Sequence, residues 1–472
     1  MWWHKYLHPP CYIGMGKGGE SQRKGKGEIQ LSNDEVLVDD KIYSVESLAS
    51  AHPGGDIFVK AFAGRDATEA FISYHRKPFP HENQSKFLIT STDNTSKDSE
   101  KLKSKDTRDF FELCELVEKV LPKHKAFAPY SYWAKMSVIL GCAVGLEAYI
   151  HITASYKWYL TAIMGFLMAL IGLNIQHDAN HGALSKNPSI NRFLGLCVYM
   201  NVCVRWFFAF INILTIYFVI RPYFVMVGMT QNYIGGSRID WIHQHVVQHH
   251  VATNDLHDDP DMSANEMLRL NPIKPYLKHH FFQHLYTFII IAGFGVNVTI
   301  TTLKNLVAWK NYTSISSKLT DLKFFEICTS VLFFMRWIAL PLLQIPSVYT
   351  ILHILPMFIV CGYYLAFFFI LSHNFKGTQN FDKHTTNKSF LYRQVASSSN
   401  VGGSFLCFLN GGLNYQIEHH LFPRIQHTHY PTIAPIVREF CASRDIPYVH
   451  FPTILDNVKS CLDHLYCMGR PV

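Results

Sequence analysis

Histidines at helical spacing beside long apolar runs constrain this chain more than any other feature. His177-Asp-Ala-Asn-His181, His245-Val-Val-Gln-His249-His250 and Gln416-Ile-Glu-His419-His420 each sit beside an apolar stretch of membrane length or near it. His177 and His181, like His245 and His249, are i,i+4 pairs, so each pair projects from one helix face with about 5–6 Å between the side chains. That separation suits two bonds to one metal, or a bridge between two. In a chain with 26 histidines a single such pair arises by chance; three clusters, each next to an apolar stretch, do not. Neutral imidazole is a strong ligand for first-row transition metals and holds iron without thiolate. An iron site at a membrane surface points to oxygen chemistry on a lipid.

Composition agrees with a membrane protein that carries soluble parts: of 472 residues, 49% are hydrophobic, 14% aromatic and only 17% charged. The net charge of +8 fits loops facing anionic headgroups rather than nucleic acid, because the chain has no dense basic stripe. The basic run 23–26 reads as a solvated tail. Eleven cysteines without a C-x-x-C pair argue against a disulfide framework or zinc knuckle and fit a reducing compartment. Residues 1–14 lack the apolar core of a signal peptide. Membrane insertion therefore falls to internal helices. Residues 132–152 and 158–175 form one apolar hairpin leading into His177, and 324–344 with 348–371 form a second. Lys304, Lys310, Lys318 and Lys323 mark the loop before that second hairpin as cytosolic. The apolar stretch 281–302 begins after the second cluster and ends at this basic loop, so a helix lying on or dipping into the membrane satisfies both its ends. Four crossings then put all three clusters on one face.

The first part of the chain is different in kind. His52-Pro-Gly-Gly55 is followed by a short amphipathic pattern and then by His75. Paired glycines let backbone pass close to a flat cofactor, and proline fixes the approach. His52 and His75 are placed to clamp a haem iron axially, with Ile57, Phe58, Phe62 and Phe71 to line the pocket.

Residues 34–87, with His52-Pro-Gly-Gly and His75, resemble cytochrome b5. The remainder, with Gln176-His-Asp-Ala-Asn-His-Gly182, the second cluster and Gly411-Gly-Leu-Asn-Tyr-Gln-Ile-Glu-His-His-Leu-Phe-Pro423, resembles the membrane fatty acid desaturases. The fusion, with glutamine opening the third box, is the pattern of front-end desaturases, and the boxes look most like those of algal Δ5 enzymes. The resemblance implies a small α+β haem domain, then an all-α integral membrane domain with about four transmembrane helices and a cytosolic histidine-rich cap. It divides the chain into a variable tail (1–33), the haem domain (34–90), a linker and lead-in (91–130) and the desaturase domain (131–472). Within the linker, the Ser, Asp and Lys of 91–107 predict a flexible tether.

By match to the boxes, the resemblance implies two non-haem irons held by His177, His181, His245, His249, His250, His419 and His420. Gln416 stands where other desaturases carry a histidine, and His373, in Ser372-His-Asn374, resembles a further ligand. It implies haem b on His52 and His75, electrons from an NADH-cytochrome b5 reductase, O2, a fatty acyl chain on CoA or phospholipid, and the endoplasmic reticulum. The reaction it implies is a double bond introduced near the carboxyl end, of Δ5 or Δ6 type. A Δ8 sphingolipid long-chain-base desaturase shares the fusion and the glutamine. A hydroxylase outcome and a catalytically dead haem electron carrier are the remaining readings.

Residues 198–231 do not fit. They include the apolar stretch 206–220 between Arg205 and Arg221, short of the usual ~20 residues of a span. One extra crossing there would part the first box from the second. Related desaturases run on as if Cys197 joined Asn232. Every valine codon begins with GT and a glutamine codon can end in AG, so the block reads as a retained intron translated in frame. Met15-Gly-Lys likewise reads as a more natural start than Met1.

Overall fold

The computed structural model of the chain describes residues 31–79, 85–91, 97–191, 234–262, 266–308, 320–382 and 385–471. The block 198–231 and the first 14 residues lie outside them.

The N-terminal unit opens on a hairpin. Glu35–Val38 pairs antiparallel with Lys41–Ser44, Glu35 opposite Ser44, and Asp39 and Asp40 close the turn at φ 52° and 57°. Positive φ at both central residues is what a tight two-residue turn between twisted strands requires, and Asp tolerates it. Leu88–Ser91 adds a third strand beside Lys41–Ser44. Three short helices, Val45–Ala51, Ile57–Ala61 and Thr68–His75, complete the unit. Its core of Val36, Val38, Tyr43, Val45, Ile57 and Phe62 runs without a break into Ile239, Ile242, Val246 and Val247 beside the second histidine cluster.

This corrects the expectation of a flexible tether. Lys97–Val120 is a continuous helix, and Phe110, Leu113, Val117 and, just beyond it, Leu121 bury against Leu391, Tyr430 and Val437 of the cap. Apolar residues recurring at three and four positions are the stripe that holds a helix down. Residues 97–107 of the Ser, Asp and Lys stretch that reads as a linker form the start of that helix.

The membrane part is built on the two expected hairpins. Tyr130–Ile152 is joined to Trp158–Ile171, which continues through a π-helical turn, Gly172–Gln176, into His177–Asn180. Residues 320–344 lead back into Val348–His373. The hairpins lock where Gly165 meets the Met357 backbone so closely that a β-carbon would collide with the carbonyl oxygen. Between them, the Glu147 carboxylate takes a bidentate pair of hydrogen bonds from Arg336, at 2.6 and 2.7 Å, with both side chains buried.

Five helices among the described residues are long and apolar enough to span a bilayer, and the fifth is Lys278–Asn305. It breaks at Ile291–Gly293, and Gly295 beyond the break rides on Gly362. Gln283 near its start donates to the carbonyl of Leu465 at 2.8 Å, and Asn305 at its end donates to Asp240 at 2.6 Å. Both partners belong to the histidine-bearing cap, so the segment leaves and returns to one face. That geometry matches the expected four crossings and one dipping segment. Around the cap lie the helices Tyr430–Ala442 and Ile454–Met468 and a two-stranded parallel ladder, Ser399–Val401 with Val449–Phe451. Among the described residues seven cysteines are free thiols and Cys467 is disulfide-bonded.

Candidate functional site

The three clusters converge. His177, His181, His245 and His419 each bring a ring nitrogen within 4.8 Å of the others, and His249, His373 and His420 do the same in a second group. His250 stands between the groups, its ring centre 4.6 Å from those of His245 and His419 and 4.3 Å from that of His420. The Gln416 amide reaches 3.0 Å from Nε2 of His373 and 3.1 Å from Nε2 of His420. A half-turn about its last side-chain bond puts Oε1, the atom able to ligate, in that position.

Local backbone explains who goes where. His177 and His181 share a group, as their i,i+4 spacing predicts. The second cluster departs from that rule because Ile242–His249 is π-helical, and the His250 amide donates to the His245 carbonyl at 2.9 Å. The i,i+5 register faces His245 and His250 Nε2 to Nε2 at 3.1 Å and turns His249 into the other group. His245 and His249 therefore reach two positions rather than one. In Gln416–Leu421 the helical offset likewise splits His419 from His420, and His420 lines up with Gln416 one turn back.

The donors fit metal. Both ring nitrogens of His177, Nε2 of His181 and His419, and Oε1 of Gln416 are buried without a hydrogen-bond partner. Such orphans are rare unless something else satisfies them. The outward nitrogens are held instead. Nδ1 of His181 hydrogen-bonds Tyr74 Oη at 2.7 Å and Nδ1 of His419 hydrogen-bonds Tyr430 Oη at 3.2 Å, while Nδ1–H of His420 donates to Gln394 at 2.9 Å and that of His373 to the Ser397 carbonyl at 3.0 Å. Nδ1–H of His249 faces both oxygens of Asp259 at 3.2 Å. An outer partner on one nitrogen fixes the tautomer that leaves the other free for metal. Burial, reinforced by neighbouring histidines, pushes His181, His245, His250, His419 and His420 well below the usual imidazole range, so they are neutral at pH 7, the ligating form. His249 goes the other way: burial opposes its charge, but Asp259 and Asp261 prevail and push it up to about 9.

Residues that sequence reasoning missed complete the setting. Asp178, inside the first box, accepts from Nδ1–H of His427 at 2.6 Å and from Gln426 at 2.9 Å. Arg238 at the head of the second box donates to Asn180 of the first at 2.8 Å. Carboxylates in or just after a box were the available signal; His427, Tyr430 and Tyr74 gave none. His279 and His280, which match no box, bond the Glu266 carbonyl.

A second constellation lies against the first. Nε2 of His52 and Nε2 of His75 face each other at 3.4 Å, a little under the span of two metal–imidazole bonds of about 2.0 Å each. Their Nδ1–H groups donate to the carbonyls of Gly55 at 2.7 Å and Phe71 at 3.0 Å. Burial keeps both neutral, His75 down at about 4. They open on an apolar cleft lined by Val36, Val38, Leu48 and Phe71, with His181 also in its wall. Two opposed imidazoles above an apolar slot fit haem.

A membrane domain with two buried histidine groups, joined to a bis-histidine cleft, defines an integral membrane oxidoreductase. Residues 221–452 match the fatty acid desaturase family and residues 32–111 the cytochrome b5-like heme/steroid binding domain. Over 445 residues, 93% of this chain and 91% of the relative, the sequence is 41% identical to an acyl-lipid (7-3)-desaturase of Rebecca salina. It is 39% identical over 444 residues to one of Diacronema lutheri, with the same coverage, and 28% identical over 469 residues to acyl-lipid (8-3)-desaturase B of Dictyostelium discoideum, with 92% and 91% covered. The chain belongs to the fatty acid desaturase family, in the form that carries its own cytochrome b5 domain. Its cofactors are haem and a pair of non-haem irons.

Proposed function

We propose that this desaturase is of the front-end acyl-lipid type and places its new bond at carbon 4, three positions nearer the carboxyl than a bond at carbon 7, as the (7-3) in the names of its relatives at 41% and 39% identity denotes. The (8-3) and Delta(5) relatives are 24–28% identical, so the Δ5 or Δ6 position that the boxes alone favour is the second reading. The observation that carries the desaturase chemistry is the pair of buried, convergent histidine groups. In this reading one iron is held by His177, His181, His245 and His419 and the other by His249, His373, His420 and Gln416, with His250 between. Bound iron with O2 supplies the oxidant for an unactivated methylene, which no side chain can provide. His52 and His75 hold the haem, an NADH-dependent reductase of cytochrome b5 supplies electrons, and the sites face the cytosol from the endoplasmic reticulum.

Residues 198–231 are, in the same reading, absent from the working enzyme. Asn191 and Arg238, described residues on either side of the block, line one cavity beside the first box, which supports this reading because a single crossing between them would part them. Transcripts that retain the block and yield active protein would overturn this.

Expression in yeast fed with defined polyunsaturated acids tests the regiochemistry. A new bond at carbon 4 supports the proposal, and one at carbon 5 of an acid unsaturated at carbon 8 moves the enzyme to the second reading. Unsaturated sphingoid base without fatty product, a gain of oxygen, or reducible haem without product or iron identifies the sphingolipid, hydroxylase or electron-carrier alternatives. His249→Ala and His420→Ala each abolish product and leave the haem spectrum intact; retained activity would remove those positions from the site.

A further inference from the structure

Tyr74 precedes His75 on the helix Thr68–His75, yet its side chain belongs to the other site. Its Oη lies 2.7 Å from Nδ1 of His181, whose Nε2 is buried, without a hydrogen-bond partner, among the first histidine group. The phenol ring leans on Phe58, another wall of the haem cleft, at 5.4 Å between ring centres. This contact is not isolated. The apolar core of the haem domain is continuous with the second-box helix, Lys123 donates to the His75 carbonyl at 2.9 Å, Arg65 donates to His243 at 3.1 Å, and Arg393 of the cap pairs with Glu69.

We propose that the haem domain completes the iron centre, with Tyr74 as a positioning residue that fixes His181 and links it to the haem. The phenol oxygen accepts Nδ1–H of His181, which holds the ring in the tautomer whose Nε2 serves the metal. From His75 to His181 the route is one peptide link, one side chain and one hydrogen bond. Held by His52 and His75, haem would supply the iron pair with two electrons one at a time, each replaced by the NADH-dependent reductase, while Tyr74 keeps His181 in place between the two sites. No proton leaves the phenol in either step. The docked arrangement, rather than a swinging tether, is the state that passes electrons.

The inference rests on reading His75 as a haem ligand and His181 as an iron ligand, and the haem band and iron content of each sample test that reading separately. In full-length enzyme in lipid nanodiscs, Tyr74→Phe removes one oxygen. The expected result is an unchanged haem spectrum and unchanged reduction by the reductase, with haem reoxidation under O2 and acyl substrate slowed by about 10–100-fold. The Mössbauer spectrum of the iron pair shifts with it. Reoxidation at the parental rate with an unaltered iron spectrum overturns the proposal. Should the haem band itself change, Glu69→Arg provides the second reading, because it loosens the docking and leaves Tyr74 in place. Slowed reoxidation there, recovered in the E69R/R393E double variant, supports the docked path; the parental rate in E69R refutes it.

Discussion

Asp178, whose carboxylate lies 3.9 Å from Nδ1 of His177, anchors His427 and Gln426 behind the first histidine group. Asp178→Asn keeps the shape and removes the charge, and the expected outcome is a 10–100-fold weaker hold on iron, read by metal titration with the haem band unchanged. Glu418 gives a pH test. It is buried, takes hydrogen bonds from Asn400 at 2.7 Å and Tyr448 at 2.8 Å, and burial pushes its carboxyl up to about 7. A raised acid is neutral in the fold after it has ionised in the unfolded chain. Its contribution is therefore complete below about pH 4 and is lost as pH rises to about 7, a change of roughly 3 kcal/mol. Glu418→Gln flattens the fall in thermal stability between pH 4.5 and 7, and a variant with the parental slope would show that the group stays ionised. The histidines were legible because metal ligation demands one residue type at helical spacing. Tyr74, 107 residues from its partner, and His427, 249 residues from Asp178, were not, since only the fold brings them together.

At the scale of the element, the π turns limit what spacing can say. Counting by helical turns pairs His245 with His249; the extra residue in the turn pairs His245 with His250 instead. Sequence carries no marker of that extra residue, whereas the apolar hairpins announce themselves by length. The π turn at Gly172–Gln176 has a visible support. Gly411, at φ 65°, sits so close to the Leu173 backbone that a β-carbon would collide with its carbonyl. Gly411→Ala adds both the clash and the strain of a left-handed backbone, at least about 1 kcal/mol. The expected result is a displaced first box, seen as lost iron with helix content retained in circular dichroism; full iron occupancy would show that the turn yields freely.

For the whole molecule, topology was readable from the sequence to the extent that it follows from hydropathy and from the need to gather three boxes on one face. The docking of the haem domain was not, because a polar helix start and a disordered linker share a composition. The dipping segment can be checked directly. Leu277→Cys and Val307→Cys, placed separately in a protein lacking the exposed Cys142 and Cys328, react with a membrane-impermeant maleimide from the same side of sealed vesicles. Labelling from opposite sides would make Lys278–Asn305 a full crossing.

The buried pair of Glu147 and Arg336 bears on how this protein is made. The two charges stand 189 residues apart, one on each hairpin. On insertion scales a lone arginine at mid-helix costs about 2.5–3.5 kcal/mol. The nascent first hairpin therefore carries a carboxylate with His151 of its own helix, 3.6 Å away, beside it, and gains the bidentate guanidinium only when the second hairpin packs against it. Docking of the second hairpin is thereby favoured over either hairpin standing alone, and the histidine-bearing cap assembles over a membrane base that the pair helps to close.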